Sequence, residues 1–216
     1  MNIDKLKNRL KPIIYPVLNF IPRRCLKNKE FTIISDNCWA GKVYQELGLP
    51  YQTPFVGLFI FSPDYIKLLK NIENYLKLED GGGIPLRFVR QSKYIPNFSN
   101  DYPLALLGDI ELHFLHYKSE NEAREKWERR LRRICWENLY FKFNDNDQCT
   151  YELMKEFEKL PYKSKVIFSS KNYEDLPSLV HFKSQEKQGQ VGIDLKYYHK
   201  YFNVVKWLND GGDNLS

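Results

Sequence analysis

The 216-residue chain is 43% apolar and 28% charged, near the globular average, which excludes an intrinsically disordered, collagen-like or disulfide-scaffold protein. Its length fits one large domain, and its 15 Tyr, 14 Phe and 4 Trp suit packing on strands as well as stacking on sugar or base rings. Most of the formal charge of +6 lies in residues 1–29, where eight basic residues face Asp4 alone, so the near-neutral remainder argues against a nucleic-acid partner.

In the front segment Ile3, Leu6, Leu10, Ile13, Ile14, Val17, Leu18 and Ile21 recur at helical spacing, with Lys5, Lys7, Arg9 and Lys11 largely elsewhere around the wheel. This is the pattern of an anchor lying on an anionic inner leaflet, and equally that of a helix packed on the protein's own core or on a second subunit. Pro12, Pro16 and Pro22 end any regular helix near Lys11. The segment lacks the apolar region and small-residue cleavage site of a signal peptide, and no run of 18 apolar residues predicts a transmembrane helix. Cys25, Cys38, Cys135 and Cys149 form no C-x-x-C pair, which predicts reduced thiols in a cytoplasmic setting and no zinc site.

Beyond this basic amphipathic segment, 1–29, residues 30–216 read as a single α/β domain. A strand at 31–35 is followed by a polar turn at 36–38 and a helix to Leu47. The apolar run 55–61 predicts another strand, with Ser62 and Pro63 opening a helix to about Leu78. Gly81–Gly83 reads as a turn before a strand at 84–90, and 91–103 as a loop. A strand at 109–117 sets Ile110, Leu112 and Phe114 on one face and Asp109, Glu111 and His113 on the other. Ser119 and Glu122 form a capping box for a charged helix over 120–134. Strand 139–143 runs into the acidic loop Asn144–Asp147, then a helix over 150–160, a strand at 165–169 and a last helix over 195–209. The alternation predicts a mostly parallel sheet of five to seven strands with helices on both faces, a Rossmann-like three-layer sandwich binding ligands at the carboxyl ends of its strands.

The stretches Phe31–Gly41, Thr53–Leu58, His113–Tyr117, Lys126–Arg130 and Phe141–Asp145 together resemble a bacterial family of exopolysaccharide-biosynthesis proteins, over about residues 30–208. The Asn37-Cys38 turn is also similar to that of capsule acetyltransferases using coenzyme A. These likenesses imply a surface-polysaccharide enzyme, which the basic segment 1–29 would place in the cytoplasm at the inner face of the membrane; candidate substrate or cofactor contacts are Trp39, Gly41, Thr53, His116 and Asn144.

Cys38, in a strand-to-helix turn, stands where backbone amides and the helix dipole lower a thiol pKa and hold an oxyanion, although cysteine is also a common buried small hydrophobe. His113 is the candidate base, sharing its face with Asp109, and Asn37 is a candidate for capping the helix or donating to a carbonyl. Arg129 and Arg130 offer guanidinium forks for a phosphate. This set fits acyl transfer from a coenzyme A thioester to a sugar hydroxyl. A second reading places Mg or Mn on Asp145 and Asp147 beneath a nucleotide sugar in a glycosyltransferase, where ordinary turn chemistry is the competing role. A third is a non-catalytic, membrane-docked partner of the polysaccharide machinery.

Overall fold

A computed structural model describes residues 20–77, 84–192 and 194–212. The expected anchor helix to Lys11 and the Gly81–Gly83 turn lie outside the described residues. The elements in chain order are α1 (Phe20–Cys25), β1 (Thr32–Ser35), α2 (Trp39–Leu47), α3 (Ser62–Lys70), α4 (Ile72–Leu76), β2 (Leu86–Val89), β3 (Leu104–Leu107), β4 (Ile110–His113), α5 (Glu120–Leu131), β5 (Leu139–Asn144), α6 (Tyr151–Lys159), β6 (Lys165–Ser169), β7 (Leu179–His181), α7 (Asp194–Tyr197) and α8 (Val204–Asn209). Short 3-10 turns cover Lys183–Gln188 and Tyr198–Lys200.

β1, β5, β6 and β7 form a parallel sheet in that order, with Ser35 opposite Lys142 and Asn144 opposite Phe168. Both of its faces are buried, which is why its strands read as continuous apolar runs. Ile34, Phe141, Phe143 and Ile167 point into one core with residues of α3, α5 and α6, and Ile33, Tyr140, Val166 and Phe168 into another with α2 and the carboxyl-terminal segment. In the second core Trp39 stands edge-on to Phe168 and Tyr198, and Trp207 edge-on to Tyr140.

The expected single sheet of five to seven strands is corrected: β2, β3 and β4 make a separate antiparallel sheet, joined to the first core through its apolar face. The run 55–61 is not a strand. Phe59 makes one antiparallel bridge with His113, while the amide of Ile60 donates to Asp36 O at 2.8 Å. Its apolar residues are buried because the segment passes between the two sheets, each claiming a different backbone group. The strand expected at 109–117 shortens to Ile110–His113, which forms a hairpin with a further strand, Leu104–Leu107, around Gly108-Asp109, with Gly108 at φ +61°, and the chain turns again beyond His113. Glycine first in a two-residue loop is the II′ hairpin signal.

The helix expected from Ser62 to about Leu78 breaks at Asn71. Ser62 is its first residue rather than its cap, its hydroxyl donating to Asn146 O at 2.9 Å. The expected last helix is also interrupted, restarting where Asn203 accepts the amide of Lys206. Helices α5 and α6 start where expected, capped by Ser119 and Thr150. Among the described residues no helix is long and apolar enough to cross a membrane.

Candidate functional site

The carboxyl ends of β1 and β5 converge on a buried cation. Lys142, fully buried, projects from an apolar strand toward α2 and donates to Asp194 Oδ2 (2.6 Å), Asp36 Oδ1 (3.1 Å) and Asn37 Oδ1 (3.1 Å). Its three donors are thereby used. Asn37 also donates to Asp194 at 3.0 Å and accepts the Trp39 amide, so its side chain fastens the start of α2 to this cluster. Asn144 donates its amide nitrogen to Asp194, and its backbone N–H goes to Asp36 Oδ2. Burial pushes the Asp36 carboxyl up to about 6 despite Lys142, whereas Lys142 and its neighbours hold Asp194 below the ordinary range against the same burial. Two carboxylates on one cation are thus pushed in opposite directions.

Cys38 lies half-buried above this cluster, its thiol donating to Leu58 O at 3.6 Å. Burial pushes that thiol up to about 11, the Asp194 carboxylate adding to the shift, so the helix start does not produce a thiolate at neutral pH. The segment 53–58 is pressed onto the same turn. A Cβ on Gly41 would stand 3.0 Å from Val56 Cγ1, and one on Gly57, at φ +71°, would meet Tyr117 at 3.2 Å and His116 Cβ at 3.3 Å. Gly57 therefore lies between Cys38, whose thiol its backbone contacts, and the exposed His116. The Tyr117 hydroxyl donates to Val56 O at 2.5 Å and accepts from the buried Arg130, whose guanidinium lies 4.9 Å from the Tyr51 ring centroid.

The structure brings Asn37, Cys38, Gly41 and His116 together, with Asn144 beneath them. It sets His113 apart. That ring is fully buried in the antiparallel sheet, 2.7 Å from Glu111 Oε1 and 3.1 Å from the Tyr102 hydroxyl, stacked on Phe59. Burial keeps its pKa low against the pull of Glu111. Asp109 is in the hairpin loop, paired with Lys67 and Tyr75 rather than with His113. Trp39 is a core residue, and Thr53 is buried, its hydroxyl accepting the Phe55 amide. Arg130 holds Tyr117, while Arg129 is exposed beside it.

Asp145 is engaged at both oxygens, Oδ2 by Ser169 and Ser170 and Oδ1 by the Val191 amide. Asp147 is half-buried at φ +51°, its pKa raised by burial. Among the described residues no three His, Cys, Asp or Glu side chains are grouped to hold a metal ion. Sequence reasoning missed Lys142, Asp36, Asp194 and Gly57. A lone lysine inside Leu-Tyr-Phe-Lys-Phe was a legible signal, because a strand buried on both faces needs a partner for any charge it carries.

Comparison with known proteins gives two matches. The family profile DUF1919, a domain of unknown function, matches residues 10–209. An uncharacterized protein of Haemophilus influenzae (strain ATCC 51907 / DSM 11121 / KW20 / Rd) is 37% identical over 199 residues, covering 89% of this chain and 90% of that protein.

Proposed function

The chain belongs to the DUF1919 family, and from its site we propose that it is a transferase of surface-polysaccharide assembly, moving an acyl group from a coenzyme A thioester to a sugar hydroxyl. The observation that carries this reading is the convergence of Asn37-Cys38, Val56-Gly57 and His116-Tyr117, distant in sequence, at the carboxyl edge of a parallel sheet, where ligands bind in such folds. All three stretches belong to the motifs that resemble exopolysaccharide-biosynthesis proteins.

His116, exposed over Gly57, is the base. It takes the hydroxyl proton as the oxygen forms its bond to the acyl carbon, the carbon–sulfur bond breaks, and the proton passes to the departing coenzyme A sulfur. With its proton held to about pH 11, Cys38 serves as a packed thiol and transfer is direct. Asn37 and Lys142 are positioning residues, and Arg129 is the exposed guanidinium offered to a coenzyme A phosphate. Residues 1–29 dock the enzyme on the anionic inner leaflet. Metal-dependent glycosyl transfer has less support, since both oxygens of Asp145 already hold protein donors.

The test pairs ligand-induced shifts in melting temperature with a transfer assay over a monosaccharide panel. Coenzyme A should raise the melting temperature without metal, and His116→Ala should slow transfer by roughly 10²–10⁴-fold, the usual contribution of a general base. A shift confined to nucleotide sugars with Mn, or full activity in His116→Ala, overturns the reading. Silence across the panel transfers the case to the non-catalytic partner.

A further inference from the structure

A groove of about 300 Å³ opens at the opposite end of the parallel sheet from the Asn37-Cys38 turn. Leu139, at the amino end of β5, lines it, whereas Asn144 closes that strand beneath the candidate site. The strand between them runs on the order of 15–20 Å, too far for one sugar ring to reach both. The groove's aromatic walls are held in place. Tyr162 stacks on Phe141 with ring centroids 3.9 Å apart, and its hydroxyl donates to Leu69 O at 2.5 Å. Trp136 is half-buried, with the Lys77 ammonium 5.4 Å from its ring centroid, while Trp39, Trp127 and Trp207 are at most 1% exposed. The rim is polar and its charges are matched, Lys70 pairing with Glu156 at 2.8 Å and Glu73 with Lys77 at 3.5 Å. Asn71 and Asn74 stand exposed on the same rim, and among the described residues their side chains have no hydrogen-bond partner. The groove also lies against the break between α3 and α4, where Asn71, at φ −142° and ψ 41°, leaves the helical region with neither proline nor glycine there to compel it.

From these features we propose that the groove is a second binding site, taking a neutral sugar unit of a glycan at a distance from the transfer chemistry. A pyranose has one face of C–H groups, which suits the Trp136 and Tyr162 rings, and hydroxyls that both donate and accept, which suits the carboxamides of Asn71 and Asn74. Walls already fixed in orientation lose little freedom when a ligand arrives. A phosphorylated ligand or a nucleotide is poorly served, because Lys70, the cation of the lining, is already paired and the Glu73 carboxylate stands beside it. The volume is at the lower end of small-molecule sites, as a short saccharide requires. This inference goes beyond the transferase reading, since the groove holds its sugar whatever reaction occurs at His116.

The experiment follows Trp136 in the full chain by acrylamide quenching of its fluorescence, the other three tryptophans being enclosed, and then measures affinities by isothermal titration. The probes are maltotriose, cellotriose and triacetylchitotriose, with UDP and glucose 1-phosphate as anionic controls. At least one of the neutral trisaccharides should shield Trp136 from the quencher and bind more tightly than either anion. Trp136→Ala should weaken that binding at least about tenfold. Asn74→Ala, an exposed change that leaves the core intact, should weaken it several-fold. No shielding by any of the three, binding of an anion as tight as that of the best trisaccharide, or affinities unchanged in both variants overturns the proposal. Self-association that is lost in Trp136→Ala, without saccharide binding, assigns the groove to a second copy of the chain and overturns it as well. Coenzyme A, titrated separately, tells the two readings apart: coenzyme A binding without trisaccharide binding removes this inference alone, whereas trisaccharide binding without coenzyme A binding removes the transferase reading alone.

Discussion

Asp36 shows how one buried carboxyl sets a pH dependence. Its folded pKa, about 6, lies above the ordinary 3.8, so between these values the folded protein keeps a proton that the unfolded chain has released. Stability contributed by this group therefore falls as pH rises from 4 to 6, by up to about 1.4 kcal/mol per pH unit. Asp194, held low, acts oppositely: its contribution is complete above the ordinary carboxylate range and is lost on acidification. Urea unfolding of the natural protein and Asp36→Asn across pH 4–7 isolates the first effect, because the other carboxyls are common to both. Identical slopes would refute it. Cys38 makes a second residue-scale prediction. A thiol held protonated to about pH 11 should react with iodoacetamide more slowly than the exposed Cys25 at pH 8, and Cys38→Ala should retain most of the transfer rate. Faster labelling at Cys38 would restore it as a nucleophile. His113→Ala belongs with the structural changes, expected to cost roughly 1–3 kcal/mol by leaving the Tyr102 hydroxyl without its partner and taking one of the bonds from the buried Glu111, which keeps Ser92 and the Lys93 amide, while sparing ligand binding.

Among the elements, the contact between α2 and segment 53–58 decides the geometry of the candidate site. Gly41 lets the helix approach Val56, so Gly41→Val should displace the segment and weaken coenzyme A binding by tenfold or more while the melting temperature falls by only a few degrees. Unchanged binding in that variant would detach segment 53–58 from the site. The same segment marks where the sequence was legible and where it was not. β1, α2, α5, β5, α6 and β6 were readable because each carries a strong periodic pattern or a capping side chain, as Ser119 and Thr150 do. Phe55–Phe61 has the composition of a central strand, yet composition reports burial and not the direction of the backbone bonds, which here go to His113 and Asp36 in turn. Likewise Asn37 and Cys38 could be picked out from a strand-to-helix turn, whereas the choice between His113 and His116 depends on where β4 ends. A strand extended to residue 117 keeps both histidines in one ladder, and the actual turn beyond His113 exposes His116 and buries its neighbour.

At the level of the whole molecule, the parallel sheet is sealed on one side by α2 and the carboxyl-terminal aromatics and on the other by α3, α5, α6 and the antiparallel sheet. Trp207→Ala should cost about 3–5 kcal/mol, the range for emptying a buried indole, read as a lowered urea midpoint. The two sheets share apolar surface, but among the described residues their strand backbones meet through the connecting segment, at the Phe59–His113 bridge. That seam divides the molecule's cooperativity. The hairpin strands β2 to β4 can part from the rest by giving up side-chain packing, one pair of amide bonds and a few bonds to side chains, such as the Glu111 amide to Asp64, without breaking any rung between β1, β5 and β6. Native-state hydrogen exchange should accordingly show the amides of β2–β4 opening as a unit at lower free energy than those of β5 and β6, and a single shared opening energy would show the seam to be closed. The seam thus makes the loop 91–103 the expected first site of proteolytic nicking, leaving a fragment whose parallel ladder, with Lys142 still clamped between its carboxylates, resists digestion longer than the hairpin that was peeled from it.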